Sequence, residues 1–73
     1  MKSRMSFIDS VRRKVIELLE KNKGNFFTLT DICNLTGIVS YYVRGELYSD
    51  IRIKRYERMI DGKIVKYYGI VGD

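Results

Sequence analysis

The sequence predicts an α+β domain of three helices followed by a two-stranded β-hairpin. Three observations carry that expectation. Apolar residues recur at helical spacing over the first third of the chain. The run Thr28-Leu29-Thr30-Asp31 has capping-box spacing and opens a second helical pattern that Gly37 closes, with a third directly after it. Asp61-Gly62 then separates two strand-like runs. A two-residue Asp-Gly loop is a strong local hairpin signal, because a type I′ turn needs positive φ at both positions.

The first helix is expected from about Phe7 to Asn22. Ser6 offers an N-cap, and Asp9 sits in the first turn, where a carboxylate favours the helix dipole. Phe7, Val11, Val15, Leu18 and Leu19 form one apolar stripe, and Arg12, Arg13, Glu17, Glu20 and Lys21 fill much of the remaining surface. Gly24 is the expected stop. Asn25–Leu29, with Phe26 and Phe27 beside Thr28, reads as a short third strand or a tight lead into the next helix. The second helix should cover about Leu29–Thr36, with Ile32 and Leu35 facing inward. The third should begin near Ser40 as N-cap and run to Ser49 or Asp50. Val43 and Leu47 share its inner face, and Tyr41, Arg44, Gly45 and Tyr48 its outer one. Gly45 weakens that helix by about 1 kcal/mol relative to Ala.

The strands are expected at Arg52–Ile60 and Lys63–Ile70. The Asp-Gly register pairs Met59 with Ile64, Glu57 with Lys66, Tyr56 with Tyr67 and Ile53 with Ile70, each pair helping slightly. Gly72-Asp73 reads as a frayed end.

Seventy-three residues make one domain, residues 1–73, with a small core of marginal stability, so dimerisation is an expected way to gain buried surface. A net charge of +5 favours a polyanionic partner. Cys33 is the only cysteine and there is no histidine, which excludes an intramolecular disulfide and a structural zinc site. No apolar run approaches the ~20 residues needed to span a bilayer. Met1–Phe7 lacks the pattern of a leader peptide, so a cytoplasmic protein is expected. No nucleophile with a nearby base and no glycine-rich phosphate loop is present. Neither an enzyme, a cofactor nor a small-molecule ligand is expected.

The segment Thr28–Leu47 resembles the helix-turn-helix of bacterial and archaeal repressors. Thr28 matches the cap, Ile32 the aliphatic residue four positions on, Cys33 the small residue where the helices cross, Gly37 the turn glycine, and Ile38, Val43 and Leu47 the inward aliphatics after it. The family usually has Ser or Thr two residues after the glycine. Val39 stands there, which moves the expected cap to Ser40 and leaves open which of Ser40, Tyr41 and Tyr42 reach base edges. With the basic hairpin added, the chain resembles the winged helix-turn-helix family over about Phe7–Ile70, and among its members the small regulators of archaeal viruses and plasmids; in a virus-encoded case the location would be the host cytoplasm.

The resemblance implies sequence-specific binding of double-stranded DNA by a homodimeric transcription regulator. The recognition helix, about 40–49, would lie in the major groove and the hairpin 52–70 would act as a wing. Ser40, Tyr41, Tyr42, Arg44 and Tyr48 are the candidate reading residues. Arg58 and Lys63 are the candidate anchors, with Lys54, Arg55 and Thr30 as further phosphate candidates. Arg52, Lys54, Arg55, Arg58, Lys63 and Lys66 face only Glu57 and Asp61 in that stretch. The first helix and the strand Lys66–Ile70 are the expected dimer surfaces. Two rival roles are a protein-interaction module using the exposed tyrosines, and an RNA or single-strand binder using the Tyr-rich hairpin.

Overall fold

The computed structural model describes residues 6–72. Met1–Met5, most of the segment read for a leader, and Asp73, half of the expected frayed end, lie outside the described residues. The order is α1 (Phe7–Lys21), α2 (Leu29–Thr36), α3 (Ser40–Ser49), β1 (Lys54–Ile60) and β2 (Lys63–Gly69). This is the expected α+β layout of a winged helix, three helices followed by an antiparallel hairpin.

Ser6 caps α1 as its chemistry suggests, its hydroxyl accepting the Asp9 backbone N–H at 3.1 Å. Val11, Val15, Ile16 and Leu19 form the buried face. Phe7 and Leu18 do not belong to it: Phe7 is 59% exposed and Leu18 half-buried, while Ile16 takes an inward place. Phe7 begins the helix ahead of the point where the other helices cover it. The helix ends at Asn22, before Gly24, because the Asn22 amide donates to the Leu18 carbonyl at 2.8 Å.

The capping box at α2 is complete. Thr28 Oγ1 accepts from the Asp31 N–H, and the Asp31 carboxylate accepts from the Thr28 N–H. Gly37 closes the helix with φ 74, a left-handed conformation that costs glycine nothing. Ile32 is fully buried, flanked by the partly buried Leu29 and Cys33. Leu35 is instead 60% exposed. It lies beyond the edge of the face that Leu29, Ile32 and Cys33 define, on the rim of a shallow groove shared with Leu18.

Val39, not Ser40, is the N-cap of α3, and no side chain caps it. Ser40 is already the first helical residue. Val43 and Leu47 face inward and are essentially inaccessible.

The hairpin register pairs Met59 with Ile64, Glu57 with Lys66 and Tyr56 with Tyr67, as the Asp-Gly turn requires. Asp61 and Gly62 have φ 51 and 77. The strands are shorter than expected at their base. Asp50 ends α3 and captures Arg52 in a turn, its carboxylate accepting the Arg52 backbone N–H at 3.0 Å. Ile53 and Ile70 do not pair as strand partners; both drop into the core. The expected third strand is a single bridge, in which Phe27 and Tyr68 exchange both backbone hydrogen bonds at 2.8 and 2.7 Å. Among the described residues, no helix is long and apolar enough to cross a membrane.

Two glycines give opposite predictions. A Cβ on Gly69 would sit 2.7 Å from the Asn25 carbonyl oxygen and 3.0 Å from the Phe26 ring, so Gly69→Ala should cost about 1–3 kcal/mol. Nothing lies within 4 Å of a Cβ on helical Gly45, so Gly45→Ala should stabilise by about 1 kcal/mol. Urea unfolding midpoints at constant m-value measure both.

Candidate nucleic-acid interface

Short helices project a face only if something holds their backs. Here Ile32 of α2 and Val43 and Leu47 of α3 form that support, with Val15 and Leu19 of α1 beneath them. Cys33 occupies the expected place of the small residue at the helix crossing. It is half-buried, and burial pushes its thiol up from the ordinary value.

The outer face of α3 carries Tyr41, Arg44, Gly45 and Tyr48, all exposed, with Tyr41 at 79%. Ser40 is exposed at the start of the helix. Tyr42 turns away from this face. It is half-buried, with its ring edge-on to Phe7 at 4.7 Å and to Tyr41 at 5.1 Å. A groove lined by Ile8, Val11, Tyr41, Tyr42 and Gly45 runs between α1 and α3.

Alternation along the hairpin divides the wing cations between two faces. Directly paired residues share a face, so Arg55, Glu57, Met59, Ile64, Lys66 and Tyr68 lie together. Lys54, Tyr56, Arg58, Ile60, Lys63, Val65 and Tyr67 lie on the opposite face. The first face is the one turned to α3. The Arg55 guanidinium stacks over the Tyr48 ring, 4.5 Å from its centroid, a cation–π contact. The Tyr48 and Tyr68 hydroxyls share a hydrogen bond of 3.1 Å. That bond lowers the Tyr48 phenol, with Lys66 and Arg55 adding to the effect, whereas burial pushes Tyr68 up to about 12.

An open groove between α2, α3 and the wing gathers Thr30, Arg44, Tyr48, Ile64 and Lys66. No acidic residue lines it. Of the expected contact residues, Thr30, Arg44 and Tyr48 therefore converge, and Arg55 sits beside them on Tyr48. Lys54, Arg58 and Lys63 are exposed on the other wing face and do not join this group. Lys66 does join it, although sequence reasoning counted it only as local charge. Counting by twos from the buried Tyr68 would have placed it there.

On the far face Tyr56 and Tyr67 stack at 5.1 Å with Phe26 against Tyr56, so one ring face of each tyrosine is occupied within the chain. The strand end expected as a dimer surface is also occupied: Tyr68, Gly69 and Ile70 are buried inside the chain. The exposed apolar residues of α1 are at its start, Phe7 and Ile8.

Glu46 was not expected inside. It follows Val43 by three residues on the inner side of α3 and is 5% exposed. Its Oε1 accepts from Arg12 Nε at 3.4 Å, while Oε2 has no hydrogen-bond partner. Burial and the neighbouring Asp50 push the Glu46 carboxyl up, against a smaller downward pull from Arg12. Asp50, held by the Arg52 guanidinium at 2.7 and 3.0 Å, is driven well below the carboxylate range. Of this acid pair, Glu46 gains a proton first.

Comparison of the chain with protein-family models, with curated proteins and with solved structures found no match. The fold and the convergence of side chains around α3 thus stand on geometry alone.

The two acids act oppositely on stability. Folding raises the Glu46 pKa, so its contribution is complete below the unfolded value and is lost as pH rises through the folded one. Folding lowers the Asp50 pKa, so its contribution is present above the unfolded value and is lost as pH falls. Glu46→Gln should therefore gain on the wild type between about pH 4 and about pH 7. Urea titrations at both ends of that range measure the difference; a stability of the variant relative to wild type that is unchanged or lower at pH 7 than at pH 4 would contradict it.

Proposed function

We propose that this chain binds double-stranded DNA as a transcription regulator, with α3 as the recognition helix and the hairpin as wing. The observation that carries this is the groove that Arg44 and Lys66 both line beside the exposed Tyr48, with Glu57, the partner of Lys66, as the one acid bordering it among the described residues. A duplex offers phosphates to such a groove and base edges to the helix beside it. Arg44 is the reading residue, placed mid-helix with a fork suited to guanine. Tyr41 and Ser40 flank it toward the helix start. Lys66, Arg55 and Thr30 anchor the backbone, with Thr30 in the first turn of α2, where N–H groups attract phosphate. Lys63 and Arg58 meet the adjacent strand from the wing tip.

The active form is a homodimer, since a single module buries only a modest DNA interface. Phe7 and Ile8 at the start of α1 supply its contact. The protein acts in the cytoplasm without enzymatic activity of its own. The high exposure of Tyr41 also fits a protein-docking module. Salt separates the two roles, because phosphate binding weakens steeply as counterions compete.

Gel shifts with random duplex at low and moderate salt test the proposal. Binding should fall sharply with salt, and no binding at low salt would overturn it. Arg44→Ala should cost about 1–3 kcal/mol and relax sequence preference. Lys66→Ala should weaken all duplexes alike and lower the salt slope by about 1. Identical behaviour of the two variants would refute this division of roles.

A further inference from the structure

The wing face turned to α3 does not stay polar to its end. Beyond Glu57 and Lys66 it carries the cross-strand pair Met59 and Ile64, 67% and 60% exposed. Among the described residues no other element covers them, and Ile64 lines the same groove as Arg44. Three cations and two acids flank the pair: Lys66 and Glu57 next along the face, Arg58 and Lys63 as chain neighbours on the other face, and Asp61 in the turn, which leaves the rim net positive. That net positive rim, continuous with the groove that Arg44 and Lys66 line, favours a polyanion as the occupant.

We infer that Met59 and Ile64 form an apolar wedge that enters the minor groove beside the site read by α3 and opens one base step, kinking the duplex. This rests on the duplex-binding role proposed above. A phosphate backbone offers nothing to two apolar side chains. The apolar surfaces of a duplex are the sugar walls of the minor groove and the base faces exposed when a step unstacks. Reach fits as well. Ile64 lies four strand residues, roughly 13 Å, beyond Tyr68, where the wing meets α3. Neighbouring major and minor grooves are centred about 17 Å apart along the axis, half of one helical turn. The wedge therefore favours flexible pyrimidine–purine steps placed to one side of the sequence read by Arg44.

The test uses the full chain and a duplex carrying dyes at its two ends, with a fluorescent adenine analogue at successive steps. Wild type should shorten the end-to-end distance and brighten the analogue at one position flanking the recognition site. Met59→Ala/Ile64→Ala should abolish both signals while keeping duplex affinity to within about tenfold, since phosphate contacts carry most of it. Met59→Leu/Ile64→Leu should retain both, because apolar bulk is what the wedge needs. Failure of wild type to bind duplex at low salt overturns the DNA-binding role itself. Binding by wild type without bending or brightening overturns the wedge alone, and needs no variant to fold. Unchanged bending in the alanine variant also overturns it, as does conversion of a sedimenting dimer to a monomer by that variant, which would make the pair an interface between copies.

Discussion

Tyr68 ties the hairpin to α3, and the placement of the hairpin's surface groups follows from it. Its backbone exchanges two hydrogen bonds with Phe27, which fastens the base of the hairpin to the loop between α1 and α2. Its ring is 4% exposed and closes the core, and its hydroxyl meets that of Tyr48 on α3. A buried phenol needs such a partner, so position and orientation are fixed together. Once Tyr68 points inward, strand alternation sends Lys66 and Ile64 toward α3 and Tyr67, Val65 and Lys63 away from it. A slip of one residue would exchange the two sets. The paired Asp61-Gly62 turn and the stacked Tyr56 and Tyr67 oppose that slip from the other end of the hairpin.

Helix α3 depends on its neighbours in a comparable way. Ten residues are too few to hold a helix alone, and α3 has neither a side-chain N-cap nor a good helix former at Gly45. Its order comes from Val43 and Leu47 in the core and from Glu46 reaching Arg12 across to α1. The Glu46–Arg12 contact joins a nearly inaccessible carboxylate to a half-exposed cation. It is therefore a weak source of stability and a better source of orientation, setting how α3 lies against α1. The rigidity of the projecting face is thus a tertiary property, built by α1 and α2 behind it.

Local chemistry made much of this legible in the sequence. Ser6, Thr28, Asp31 and Gly37 mark helix ends because caps act within three residues, and Asp61-Gly62 sets a register because its dihedral needs are strict. Part of what escaped depends on neighbours distant in the chain, and part on local turns whose geometry outweighs residue type. Phe7 and Leu35 carry the right periodicity, but the Tyr42 ring covers Phe7 only in part and Leu35 stays on a groove rim beside Leu18. Arg52 looked like strand and is held in a turn by Asp50. Ser40 is a better cap by type than Val39, yet the turn after Gly37 is already spent when the chain reaches it. Among the expected contact residues, Thr30, Arg44 and Tyr48 converge, while Tyr42 is drawn toward Phe7. The division of wing cations between two faces needed one buried strand residue as a reference, and only the fold shows that this residue is Tyr68.

The distribution of ion pairs adds a separate line of support for a polyanionic partner. Arg12, Arg13, Lys23 and Arg52 each have a carboxylate within 4.0 Å, and these pairs involve α1, the end of α3 and the loops beside them. Arg44, Lys54, Arg55, Arg58, Lys63 and Lys66 form no ion pair among the described residues. Net charge alone would not distinguish a soluble surface from a binding one, since a modest positive excess spread over a small domain is ordinary. Lys14 and Lys21 of α1 are also unpaired among the described residues, but the largest local excess lies along the hairpin, where Arg52, Lys54, Arg55, Arg58, Lys63 and Lys66 face only Glu57 and Asp61. Repulsion among those cations works against the free protein, and a row of phosphates would relieve it. The same asymmetry would steer a duplex to the recognition side before any base is read.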